Sequence, residues 1–145
     1  MVVVDVANVM GARADGWWRD RAGAALRLCR EVAALAERGE AGDGGAAVGA
    51  AADARDGPVA ASGWVLVLEG RARAAAAEFA ADGASSAVRV VSAPGSGDDE
   101  VVRVVAEIVA RGESCLVVTA DRELRRRCEE HGASIAGPGW LLRLL

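Results

Sequence analysis

Five carboxylates in this chain fall where a fold would have to gather them. Asp5 follows the apolar run Val2 to Val4 in Val-Val-Val-Asp-Val-Ala-Asn, and Glu69 closes Trp-Val-Leu-Val-Leu-Glu. Asp98 and Asp99 stand in Pro-Gly-Ser-Gly-Asp-Asp-Glu, and Asp121 follows Leu-Val-Val-Thr-Ala. Oxygen donors of this kind suit hard divalent cations such as Mg²⁺ or Mn²⁺. Without a cation, clustered carboxylates repel one another. With one, they can lower the pKa of a bound water and set up in-line attack on a phosphodiester, two ions in such sites lying about 3.5–4 Å apart. Taken singly, Asp98 (or Ser96) and Asp121 read more simply as helix caps. Asp5 resists that simplification, because a charge at the mouth of a buried strand is costly unless paired or coordinated. Asn8 can orient a water or a carboxylate, or merely shape a loop.

The elements that must position these groups follow from the apolar pattern. Val2 to Val6, Trp64 to Leu68, Ala87 to Val91 and Cys115 to Thr119 are short runs, apolar on consecutive positions, as strands of a parallel sheet covered on both faces require. Ala133 to Ala136 is a weaker fifth strand. Helical spacing covers Trp17 to Arg38, Arg71 to Ala81, Asp98 to Arg111 and Asp121 to His131, and Trp140 to Leu145 reads as a short docking turn of helix, either core or a self-contact that would make a homodimer. Alternating strands and helices predict one α/β domain over residues 1–145, a three-layer α/β/α sandwich with about five parallel strands. If the first and fourth strands are neighbours where the strand order reverses, Asp5 and Asp121 face each other across a crevice at the strands' carboxyl ends, where open sheets bind ligands. Strands about 4.8 Å apart let two such carboxylates share one cation. The Gly/Ala-rich stretch at 40–62 has no apolar period; it reads as a mobile arm or a helix extension, with poor order expected around 42–57.

Charge constrains the partner. The formal net charge is −4, and all 17 basic residues are Arg, so a polyanion must be met by a local Arg cluster or by bound cations. Arg122, Arg125 and Arg126 project from the helix that starts at Asp121, and Arg13, Arg19, Arg71 and Arg73 lie in or near loops at the same edge; a solvated basic helix face balanced by Glu129 and Glu130 is the plainer alternative. Trp17 and Trp18 can stack on unpaired bases or enter the core. Cys29, Cys115 and Cys128 lack metal-type spacing and read as reduced, small hydrophobes. No apolar run approaches the length of a membrane span, and a cytoplasmic protein is expected. His131, the single histidine, lies late in a helix and is expected at the surface.

Taken together, Asp-x-x-Asn after an opening strand, Gly-Ser-Gly-Asp-Asp-Glu and Val-Thr-Ala-Asp-Arg-Glu-Leu resemble the NYN branch of the PIN-like nuclease superfamily, from Val2 to about Trp140. The resemblance implies a five-stranded parallel sheet and Mg²⁺- or Mn²⁺-dependent hydrolysis of RNA, sometimes DNA. Carried over by position, Asp5, Asp98 or Asp99, and Asp121 would be the metal ligands. Glu123 would be the accessory acid, and Asn8 and Thr119 would position ligand or water. Glu69 ends the right strand, its side-chain direction being its point of departure. The main rival is a catalytically silent PIN-like RNA-binding or assembly module. A Toprim-like site, suggested by Val-Leu-Val-Leu-Glu-Gly and Asp121-Arg122-Glu123, leaves Asp5 and the Asp98/Asp99 pair unexplained. A haloacid-dehalogenase-type phosphatase needs a second Asp at position 7, which is Ala.

Overall fold

The computed structural model describes residues 1–40, 62–83 and 85–145. The expectation for 40–62 therefore lies almost entirely outside the described residues. Five strands form one all-parallel sheet in the order β3-β2-β1-β4-β5. They are β1 (Val2–Asp5), β2 (Trp64–Leu68), β3 (Val88–Ser92), β4 (Leu116–Val118) and β5 (Ser134–Ala136). Val2 pairs with Trp64 on one side and Leu116 on the other, so β1 is central. From β1 the chain steps outward through β2 to the β3 edge, then returns across the sheet to β4. The order reverses between β1 and β4, as the placement of Asp5 and Asp121 requires.

Helices cover both faces, giving the three layers. α1 (Val6–Gly11), α2 (Arg21–Glu40), α3 (Ala75–Ala81) and α6 (Pro138–Leu142) share one core with Val2 and Val4, built on Val9, Leu28, Val32, Phe79 and Leu141. α4 (Gly97–Ala110) and α5 (Arg122–Glu130) share the other with Val3, Val65 and Val67, built on Val101, Val105, Ile108 and Leu124. The alternation of Val2, Val3 and Val4 between the two cores is the period-two geometry of a strand. Each full burial of such a side chain contributes roughly 1.5–3 kcal/mol.

Most boundaries shift by a residue or more from those expected, and three of the shifts show how a local turn is made. β1 stops at Asp5 and a helix begins at Val6, because the Asp5 carboxylate accepts from the Asn8 backbone N–H and turns the chain. The helix expected from Trp17 begins at Arg21; Gly16, at φ 76°, leads into a single 3₁₀ turn over Trp17–Arg19, and Asp20 then accepts from Gly23 N to start α2. The segment from Arg71 opens as a 3₁₀ turn, Gly70–Ala74, before α3. The apolar end joins the core: the helix expected over Trp140 to Leu145 runs Pro138–Leu142, Trp140 and Leu141 are buried, and Leu142, Leu144 and Leu145 are partly buried against the same core. No helix among the described residues is long and apolar enough to cross a membrane.

Candidate functional site

The β1/β4 reversal is closed by two neutral side chains. Thr119, fully buried, donates from Oγ1 to Asp5 Oδ2 at 2.9 Å and accepts from the Asp121 N–H at 3.2 Å. Asn8 donates from Nδ2 to Asp5 Oδ2 at 3.0 Å, while its Oδ1 accepts from the Ala120 N–H at 3.2 Å. One hydroxyl and one amide thus tie the end of β1 to the loop after β4. The Arg125 guanidinium braces that loop, donating from Nε to the Thr119 carbonyl at 3.1 Å. Burial raises the Asp5 carboxyl above its ordinary pKa, hydrogen bonds from Asn8 and Thr119 oppose the rise, and the Glu69 charge adds to it.

The third and fourth carboxylates arrive from β2 and α4. Glu69 Oε2 accepts from the Gly97 N–H at 2.8 Å, docking the end of β2 on the first turn of α4. A Cβ on residue 97 would lie 2.6 Å from that oxygen, so glycine is what permits the contact. Ser96 caps α4 by accepting from the Asp99 N–H. Asp98 is therefore not the cap, and its carboxylate makes no hydrogen bond to any described residue. Its pKa is raised by burial and then by the charges of Asp5, Asp121 and Glu69, with Arg127 opposing. Asp121 is a cap: its Oδ1 accepts from the Leu124 N–H at 2.7 Å.

Other expected residues fall elsewhere. Asp99 points outward, 71% exposed, and pairs with Arg127 at 2.7 Å; neighbours on a helix differ by about 100° in direction, so the acidic pair is split. Glu123 pairs with Arg126 at 2.6 Å on the solvent face, which holds its carboxyl below the ordinary range. Arg126 also pairs with Glu130, and Arg13 with Glu31. Arg73 donates to the Gly70 and Ala93 carbonyls. Arg71 and Arg122 are exposed and hydrogen-bond to no described residue. His131 ends α5 at the surface. Burial pushes the thiols of Cys29 up to about 12 and of Cys115 and Cys128 to about 11, so none offers a thiolate near neutrality.

Among the described residues, no group of three or more His, Cys, Asp or Glu side chains is arranged to hold a metal ion. Asp98 nonetheless feels the charges of Asp5, Asp121 and Glu69, and these three are each held by a neutral donor. Asp121 Oδ2, Glu69 Oε1 and both oxygens of Asp98 hydrogen-bond to no described residue, and hard carboxylate oxygens of this kind suit Mg²⁺ or Mn²⁺. Beside Asn8 opens a cleft of about 450 Å³, lined by Ala7, Asn8, Gly11, Ala12, Ala120 and Pro138. Sequence reasoning missed this cleft, α1 and the Glu69–Gly97 contact; for the last, the glycine between Ser96 and Asp98 was the available signal. No family model matches the chain, and no curated protein or solved structure does so either.

Proposed function

We propose that the chain is a metal-dependent nuclease of PIN-like type that hydrolyses a phosphodiester backbone, with RNA favoured over single-stranded DNA by the motifs it shares in pattern with the NYN branch. The observation that carries the reading is the Thr119 bridge, one buried hydroxyl bound to both Asp5 Oδ2 and the Asp121 backbone at the strand-order reversal. Asp5, Asp98 and Asp121 would hold Mg²⁺ or Mn²⁺, with Glu69 alongside. The bound ion would supply an acidified water and charge stabilisation at the leaving oxygen. Thr119 and Asn8 orient the Asp5 carboxylate, and Glu69 fixes the start of α4 so that Asp98 faces the edge. Asp99 and Glu123, turned to solvent and paired with arginine, are left out of the ligand set.

A second reading, a binding or assembly module without turnover, is favoured by the capping done by Asp5 and Asp121. One variant separates the two. Asparagine caps helices about as well as aspartate, so Asp121→Asn keeps α5 and removes a charge. With labelled single-stranded RNA and Mn²⁺, we expect the variant to melt like the wild type and to lose cleavage. Unchanged cleavage would remove Asp121 from the chemistry. Mn²⁺ binding by calorimetry with no turnover in the wild type would favour the silent module.

A further inference from the structure

Trp17 lies close to Gly11, a Cβ on which would stand 4.0 Å from Trp17 Cζ2. Trp17 in turn meets Trp18 edge to face, with ring centroids 6.2 Å apart and planes at 85°. Trp17 is anchored, packing against the core. Trp18 is not: it is 57% exposed, the one large apolar side chain so exposed among the described residues. Each ring carries a cation, Arg21 at 5.4 Å from the Trp17 centroid and Arg19 at 6.0 Å from that of Trp18. The two nearby acids are occupied with backbone, Asp15 accepting from Trp17 N and Asp20 from Gly23 N.

Trp18 keeps an edge-to-face contact with Trp17 and leaves more than half of its surface free. An anchored ring, an exposed ring and a guanidinium on each form the combination that holds unpaired nucleic acid. Bases stack on the ring faces whatever their identity, and phosphates meet the cations. A duplex, its bases already stacked on each other, offers no such faces.

We propose that Trp18, backed by Trp17 and Arg19, is a stacking platform for an unpaired nucleic-acid strand. This deepens the nuclease reading and rests on it for the strand's role as substrate. The test is fluorescence anisotropy with short labelled unpaired ribo- and deoxyribo-oligonucleotides, in EDTA so that no divalent cation contributes. Trp18→Ala should weaken binding about 5–100-fold, Trp18→Phe should recover most of it, and matched duplexes should bind the wild type and Trp18→Ala alike. Arg19→Gln should reduce the slope of log affinity against log salt by about 0.7. Asp121→Asn should bind normally, so that loss of cleavage with retained binding reports on the acidic edge and the converse reports on the platform. Equal affinities of wild type and Trp18→Ala, an equal loss on duplexes, or a wild-type dimer that Trp18→Ala converts to monomer would each overturn the platform.

Discussion

The outer faces of α4 and α5 and the carboxyl edge of the sheet are built from the same charged residue types and treat charge in opposite ways. On α4, Arg103 pairs with Glu100 and Glu107; on α5, Arg126 pairs with Glu123 and Glu130. These are the three- and four-residue spacings at which helix neighbours meet; Glu100 is buried, and the pairs of exposed residues add little to stability. At the edge, Asp5, Glu69, Asp98 and Asp121 come from four separate segments and share one sign; hydroxyl, amide and backbone N–H groups hold all but Asp98, which hydrogen-bonds to no described residue. Charge that is matched locally solubilises. Charge that is gathered from afar and left unmatched costs free energy until a counter-ion arrives.

That contrast can be broken at the edge first. Asp98→Asn should lower Mn²⁺-dependent cleavage by about 100-fold or more, the scale seen when one electrostatic group is removed from a preorganised site. In EDTA the same change should raise the melting temperature near neutral pH by about 2–4 °C. The sign follows from the raised Asp98 carboxyl: its contribution to stability is present below its ordinary value of 3.8 and is lost as pH rises through the folded-state value. The melting difference between wild type and variant should therefore close on acidification. Excess Mn²⁺ should reverse the order, since a ligand at about 100 times its Kd stabilises by about 2.7 kcal/mol. A variant less stable than wild type in EDTA would mean that the edge carries no repulsion.

Thr119→Val comes next. It preserves shape but leaves the Asp121 N–H and Asp5 Oδ2 without their shared partner, which should cost about 1–3 kcal/mol in chemical denaturation. Mn²⁺ affinity should also fall, by about 10–100-fold, as when a group orienting a ligand is lost. The smallest effect belongs to the helix face: Glu123→Gln should leave melting and cleavage as in wild type, and a cleavage defect there would return Glu123 to the site.

The strands were legible because parallel strands covered on both faces are apolar at consecutive positions, and Val2 to Val4, Trp64 to Leu68 and Leu116 to Val118 are so. α1 was not, because Val6, Val9 and Met10 continue the apolar pattern and only the Asp5 carboxylate, accepting from Asn8, ends the strand. Asp98 and Asp99 could not be ranked from sequence. Which one faces the edge depends on where α4 starts, and that is set by Ser96 and by the Glu69–Gly97 contact across the sheet. The arginines divide likewise. The ladder around Arg126 follows helical spacing, whereas the partners of Arg13 and Arg127, Glu31 and Asp99, are set by tertiary packing.

The central place of β1 has a consequence for how the molecule is made. The hydroxyl of Thr119 and the carboxylate it binds stand 114 residues apart in sequence, and contacts of that separation form late because a long loop must close first. On a ribosome the opening strand emerges well before the segment that flanks it on the β4 side. Throughout that interval Asp5 has neither Thr119 nor the neighbouring charge of Asp121. A chain in which β4 has not yet seated, or has come away again, can keep the β1–β2–β3 half with α2 and α3, but it has no acidic edge.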